Sequence, residues 1–243
     1  MALLVYFEPA EGPSPVSPAP VVSEANPSSR PCSYLRGSLR LFDLSTLRLF
    51  DYAFGVRIIA GHFKSRTLKT LRGQALRPIS DRLRETLFNI LGAAVENSVF
   101  LDVYAGTGAV GIEALSRGAR QVLFIENHRP AVALIRANLA SLGIRNGFQV
   151  LAANALSGLE KLSARGLRAD FIFLAPPYAD RDAYSRSLAL LDSLSLLAPS
   201  SLLIIEHTKK HALPERLDNL RRARLVQQGD SSLSFYRWVP RRA

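Results

Sequence analysis

A carboxylate at the end of an apolar run, a glycine-rich turn and a second carboxylate further on are the parts of this chain best suited to chemistry. Residues 100–103 read Phe-Leu-Asp-Val and run into Tyr104-Ala105-Gly106-Thr107-Gly108, with a helix-like pattern from Ala109. Glycines there let the backbone take positive φ and approach a ligand closely. The helix start leaves unpaired N–H groups aimed at the same place. Glycines at 106, 108 and 111 form G-x-G-x-x-G. Nicotinamide enzymes, methyltransferases and tight turns that hold nothing all share that spacing. Glu126 lies 20 residues beyond Gly106, at the end of the next apolar run. An acid there accepts hydrogen bonds from both hydroxyls of a ribose and repels a 2′-phosphate. Asn154 falls just past a third run, where a side chain can pair with an adenine edge. Pro176 and Pro177 close a fourth apolar run. Prolines are wrong for sheet pairing, so they make a rigid loop that presents Tyr178 over the crevice where such sheets bind ligands.

Positioning these residues takes alternating strands and helices. The pattern predicts strands over 99–103, 121–126, 148–152, 169–174 and 202–206, and helices over 109–117, 130–142 and 181–194. Two further β-rich runs, 223–228 and 233–239, meet at Gly229-Asp230. Upstream, residues 56–60 and 67–71 predict a small hairpin. Arg57, Lys64, Arg66, Lys69 and Arg72 would project from it as a phosphate-contacting arm. A lead-in helix follows, with Ser80 as N-cap and Asp81 in the first turn. Leu83, Leu87, Ile90 and Leu91 form its apolar stripe. Arg77, Arg82 and Arg84 on this stretch are available to a carboxylate or a phosphate.

The chain has 243 residues, 48% of them hydrophobic, and a mean hydropathy of +0.09. That suits one domain with a sizeable core plus an extension. One cysteine excludes an intrachain disulfide framework or a thiolate metal cluster. Histidines 62, 128, 207 and 211 have no metal spacing, so no metal is expected. No apolar run reaches the length of a membrane span. The net charge is +11, and its placement is uneven. Residues 56–88 hold 8 basic and 2 acidic side chains, residues 207–243 hold 9 and 3, and the block between them holds 10 of each. Two basic flanks around a neutral block suggest a polyanionic partner such as nucleic acid. The plainer alternative is solvated basic surface. Residues 1–31 carry 7 of the 14 prolines and several serines, a composition expected to stay disordered. Residues 1–55 therefore read as a disordered extension, an organelle transit peptide or a mis-set start, with the compact unit opening at Val56. Glu8, Glu11 and Glu24 count against the transit peptide.

Taken together, the motifs Val56-Arg-Ile-Ile-Ala-Gly, Arg77-Pro-Ile-Ser-Asp-Arg-Leu-Arg-Glu-Thr-Leu-Phe-Asn-Ile-Leu91, Leu101-Asp-Val-Tyr-Ala-Gly-Thr-Gly-Ala-Val-Gly-Ile-Glu-Ala-Leu-Ser-Arg-Gly-Ala119, Pro176-Pro-Tyr and Gly229-Asp-Ser-Ser-Leu-Ser-Phe-Tyr236 resemble the RsmD family over residues 56–243. These are bacterial small-subunit ribosomal RNA guanine-N2 methyltransferases that use S-adenosyl-L-methionine. The resemblance implies an α/β fold of class I methyltransferase type, Rossmann-like with a seven-stranded sheet and a final antiparallel strand. A hairpin and lead-in helix (56–97) would precede the core (98–243). It further implies that Arg77, Ser80 and Arg84, with Asp102, Ala105, Gly106, Thr107 and Gly108, hold the methionine end of the cofactor. Glu126 would hold the ribose with Asn127 beside it. Asn154, where the family has Asp, would meet the adenine, with Ala155 next to it. The loop Ala175-Pro176-Pro177-Tyr178 would hold the target base, with Tyr178 stacking on it. The implied partner is 16S rRNA within the small ribosomal subunit, bound by a cytoplasmic monomer. One departure stands out. The family motif is Asp-Pro-Pro-Tyr, and position 175 here is Ala. Losing a positioned acid/base group typically costs on the order of 10²- to 10⁴-fold in rate. Three readings stay open: a slowed or compensated methyltransferase, a catalytically silent ribosome-assembly factor, and a nucleotide-dependent oxidoreductase.

Overall fold

Strand β3 (Val99–Val103) is buried at every residue, and β4 (Gln121–Glu126) and β6 (Ala169–Leu174) nearly so. Unbroken apolar runs of this kind belong to parallel strands covered on both faces, and that is how they sit. The structure is a computed structural model that describes residues 52–71 and 79–239. The expectations for residues 1–51, and for Arg72 and Arg77, lie outside the described residues. In the main sheet β4 and β6 flank β3, with β5 (Phe148–Ala152) beyond β4 and β7 (Leu197–Thr208) beyond β6, all parallel. β8 (Leu220–Gln228) and β9 (Ser231–Trp238) form the closing hairpin, and β9 inserts antiparallel between β7 and β8. The order is β5-β4-β3-β6-β7-β9-β8, seven strands. This is the class I methyltransferase architecture expected from the sequence. The chain steps outward from β3 to β5, then returns to β6 on the other side of β3. That reversal opens a crevice at the carboxyl ends of β3 and β6.

Alternate residues of each central strand face opposite layers. Phe100, Phe124 and Phe173 pack under α1 (Asp81–Leu91), α2 (Ala109–Ser116) and α3 (Arg129–Ser141). Leu101, Ile125 and Ile172 pack on α4 (Ala155–Ala164) and α5 (Arg181–Ser193). Helix α4 was not anticipated from the sequence. Leu159 and Leu162 bury its inner face, and Asn154 caps its start, accepting from the Leu156 N–H at 3.0 Å. Asparagine is among the preferred capping residues because its carbonyl satisfies an orphan helix N–H.

The small hairpin joins β1 (Tyr52–Arg57) to β2 (Thr67–Leu71), so it starts earlier and leaves its first strand sooner than expected. The reason is tertiary. The N–H groups of Ile59 and Ala60 donate to the two oxygens of Glu113 on α2, at 2.8 and 3.0 Å, instead of extending a ladder. The loop also does not project. His62 and Phe63 donate to the carbonyl and hydroxyl of Ser116 at 2.7 and 2.9 Å. A Cβ on Gly61, whose φ is +83°, would meet the Ser116 carbonyl oxygen at 1.9 Å, so only glycine fits the approach. On the other side Asn138 of α3 accepts from the Lys69 N–H at 2.9 Å and donates to the carbonyls of Lys69 and Thr107.

Glu113 is fully buried and also takes Arg117 Nε at 2.8 Å and faces Arg84 Nε at 3.8 Å. Arg84 is equally buried. Its Nη2 donates to the Arg57 carbonyl and to Asp81, while Nε and Nη1 find no hydrogen-bond partner among the described residues. Burial pulls its pKa below the usual value, and Glu113 and Asp81 oppose that pull. Removing one member of a buried ion pair strands the other, at about 3–5 kcal/mol. Glu113→Ala is therefore expected to lower the unfolding free energy by about that amount in urea titrations. It should also abolish hydrogen-exchange protection of the Ile59 and Ala60 amides.

Candidate active site

At the switch point lies a cleft of about 550 Å³. One wall is the turn after β3. Gly106 and Gly108 have φ of +55° and +76°, and Gly108 opens α2 with no side-chain cap. Gly111 lies so close to the sheet that a Cβ would sit 2.3 Å from Phe124. Its N–H donates to Asp102 Oδ2 at 2.9 Å. Tyr104, just before the turn, has φ +60°, a left-handed conformation that costs a non-glycine residue energy. It lines the cleft, and its hydroxyl is 3.1 Å from Ser187 Oγ on α5.

Glu126 at the end of β4 holds this turn from the side. Oε2 accepts from Gly106 N–H and Oε1 from His128 N–H, each at 2.8 Å. An ionised carboxylate has about four acceptor sites, so two backbone bonds leave capacity for ribose hydroxyls. Asp102 is 1% exposed, and burial, together with the Glu126 charge, pushes its pKa up to about 8 against the opposing pull of the Gly111 N–H.

The opposite wall is the loop after β6. Ala175 N–H donates to the Val103 carbonyl at 3.3 Å. The Tyr184 hydroxyl, buried on α5, donates to the Pro176 carbonyl at 3.0 Å, and Asp180 N–H donates to the Pro177 carbonyl at 2.9 Å. Tyr178 donates from its hydroxyl to Glu206 Oε1 at 2.9 Å and lies 2.9 Å from Ser231 Oγ. Glu206, at the end of β7, is 7% exposed and lines the cleft.

Of the residues expected to act, the cleft brings together Asp102, Ala105, Gly106, Thr107, Glu126, Asn127, Ala175, Pro176, Pro177 and Tyr178. Others lie elsewhere. Ser80 caps α1 through the Leu83 N–H at 3.2 Å, and Arg84 serves the buried hairpin network, so neither lines the cleft. Asn154 and Ala155 do not line it either; Asn154 is exposed and caps α4. On the hairpin, Arg57, Lys64 and Arg66 are exposed away from the cleft. Arg57 is 3.6 Å from Asp81, Arg66 donates to the Ser141 carbonyl, and Lys69 is half-buried. Lining residues without a sequence signal of their own include His128 and Phe173. Glu206, also in the lining, carries only a positional signal: an acid closing a buried apolar run at the carboxyl edge of a parallel sheet.

Three carboxylates, Asp102, Glu126 and Glu206, surround this space. Glu126 suits a ligand with ribose hydroxyls and opposes the pyrophosphate of a dinucleotide, because it already occupies the Gly106 N–H that a phosphate would need. The donor set thus fits S-adenosyl-L-methionine and disfavours the oxidoreductase reading. The family described as Conserved hypothetical protein 95 matches residues 56–237. The chain belongs to that family, the RsmD family of S-adenosyl-L-methionine-dependent methyltransferases. It is 36% identical over 159 residues to Ribosomal RNA small subunit methyltransferase D of Escherichia coli strain K12, covering 65% of this chain and 78% of that one. A solved hypothetical protein of Thermus thermophilus is 31% identical, with a TM-score of 0.64 over 76% of this chain and 99% of that one. A methyltransferase structure complexed with SAH shares the fold at 12% identity, with a TM-score of 0.58 over 76% of this chain and 56% of that one.

The Asp102 environment makes a pH prediction. A carboxyl whose folded pKa lies above its unfolded value stabilises the fold while protonated, and that contribution is lost as pH rises. For Asp102 the window runs from the ordinary value of 3.8 to about 8. Asp102→Asn, which keeps an acceptor for Gly111, should remove this component. Its melting temperature should fall less than that of the parent between pH 5 and pH 8, measured by scanning calorimetry without cofactor.

Proposed function

We propose that this chain transfers a methyl group to the exocyclic N2 of a guanine in small-subunit (16S) ribosomal RNA. The observation that carries the reading is the cleft itself: a proline-rigid loop bearing Tyr178 faces the Asp102–Glu126 turn across one space. In this reading Glu126 holds the ribose of the cofactor, and Asp102 and the turn hold its methionine end. S-adenosyl-L-methionine supplies an activated methyl group on a cationic sulfonium. The chain's own part is to seat the base. A guanine amine inside a helix cannot reach the cleft, so the base must leave the stack and be held by an aromatic face. Tyr178 suits that role because its hydroxyl is tied to Glu206 and Ser231, which fixes the ring. Fixing base and methyl donor in one geometry is itself a large part of such catalysis.

The name of the Escherichia coli relative supports ribosomal RNA as the substrate, and surface charge supports a polyanion. Beyond the hairpin, Arg221 and Arg224 on β8 and Arg237 on β9 are exposed, with no ion pair among the described residues. Arg221 pairs directly with Arg237, and Arg224 with Phe235. Directly opposed antiparallel residues share a face, here the face on which α1 meets β8 through Thr86 and Gln228 at 3.1 Å. A second reading, a cofactor-binding assembly factor without transfer, is favoured by the lack of a side-chain acceptor at Ala175.

Single-turnover assays with tritiated cofactor and unmethylated small subunits decide between them. One methyl per particle, on a guanine amine, is expected. Cofactor binding with no transfer would establish the second reading instead. For the surface, Arg221→Ala/Arg224→Ala/Arg237→Ala should weaken RNA binding and flatten its log–log salt dependence by about 0.7–0.9 for each phosphate no longer neutralised. Cofactor affinity, measured in parallel, should stay unchanged.

A further inference from the structure

Glu206 has no assigned role, yet it is placed at the part of the cleft where the chemistry lacks a group. Position 175 offers only a methyl group. The Pro176 carbonyl accepts from the buried Tyr184 hydroxyl, and the Pro177 carbonyl closes a turn by accepting from the Asp180 N–H. On the wall formed by β6, its loop and the end of β7, Glu206 is the carboxylate among the described residues. Its Oε1 takes the Tyr178 hydroxyl at 2.9 Å, which sets the aromatic face beside it.

We propose that Glu206 is a catalytic, base-selecting residue whose carboxylate accepts hydrogen bonds from N1–H and N2–H of the target guanine, supplying the acceptor that Ala175 lacks. The inference rests on the function proposed above and gives it a physical basis. Guanine alone among the RNA bases presents two adjacent N–H donors on its Watson–Crick edge. Adenine and cytosine turn a lone pair toward the carboxylate beside their amine, and uracil flanks its single N–H with carbonyl oxygens. Charge-assisted pairs are the strong ones, and setting a lone pair against a buried carboxylate penalises the wrong base. The same contact serves the reaction. The guanine N2 lone pair is delocalised into the ring, and an acceptor on its hydrogen returns electron density to nitrogen. The N2 electron pair then forms the N–C bond as the C–S bond breaks with its pair left on sulfur. The proton on the now cationic N2 passes to Glu206 and from there to water.

The test uses the full chain with unmethylated small subunits, comparing Glu206→Gln, Tyr178→Phe and the double variant Glu206→Gln/Ala175→Asp. Cofactor binding by calorimetry and melting temperature are measured alongside. Glu206→Gln should slow single-turnover transfer by on the order of 10²- to 10⁴-fold while cofactor affinity and melting temperature hold. Tyr178→Phe, which keeps the ring and the carboxylate, should cost roughly tenfold or less, below the range for losing a positioned acid/base group. Asp at 175 should restore much of the lost rate in the Glu206→Gln background. A Glu206→Gln rate within a few-fold of the parent overturns the inference. So does an equal loss in Tyr178→Phe, which would make Glu206 a support for the ring only. Failure of Asp to restore the rate overturns the claim that Glu206 supplies what position 175 lacks. A parent protein that binds cofactor but transfers nothing refutes the proposed function itself, and the inference with it.

Discussion

The cleft depends on how closely α2 lies on the sheet. Gly111 touches Phe124 so tightly that any Cβ would overlap the ring. That contact brings the Gly111 N–H onto Asp102, fixes the turn between β3 and α2, and aims the rest of the helix. Two residues along, Glu113 meets the amides of Ile59 and Ala60, and Ser116 takes the hairpin loop. A single close approach therefore sets the floor of the cleft and docks the N-terminal hairpin. The cost is a buried charge cluster in which Arg84 remains underbonded, tolerable because Glu113 has a partner on every side.

Negative charge is the other constraint. Asp102 and Glu126 take backbone N–H groups of Gly111 and Gly106, and burial together with the Glu126 charge raises the energy of ionising Asp102. A pyrophosphate site would offer those N–H groups to the ligand. Here they are already taken by acidic side chains, so the turn does not offer them to a phosphate. The same glycine spacing serves opposite ligands in different folds, so the spacing alone carries little information without the acids around it.

The loop after β6 illustrates how rigidity substitutes for a missing side chain. Pro176 and Pro177 remove two backbone donors, while Tyr184, Asp180 and Val103 tie down the carbonyls and the remaining amide. Tyr178 is held at its hydroxyl by residues from β7 and β9, so its ring is placed by two strands as well as by the loop. Such placement needs no carboxyl at 175, provided that another acceptor faces the base.

The sequence by itself determined the strands, the glycine turn and the cap of α1. These follow from local periodicity, from the backbone freedom of glycine and from a side chain reaching its own helix start. It also carried Glu126 and the Pro-Pro-Tyr loop, because both sit at fixed offsets from elements readable locally. Helix α4 is written there too, in Asn154 followed by leucines at helical spacing, although an asparagine at a strand end equally suits an adenine contact. Only the tertiary structure decided the rest. Arg84 became a buried support, the Ile59 and Ala60 amides went to Glu113 rather than to a strand, and Glu206 arrived beside Tyr178 from 28 residues away. Each of these depends on which strands neighbour one another, and that choice is made by burying both faces of the sheet rather than by any short stretch of chain.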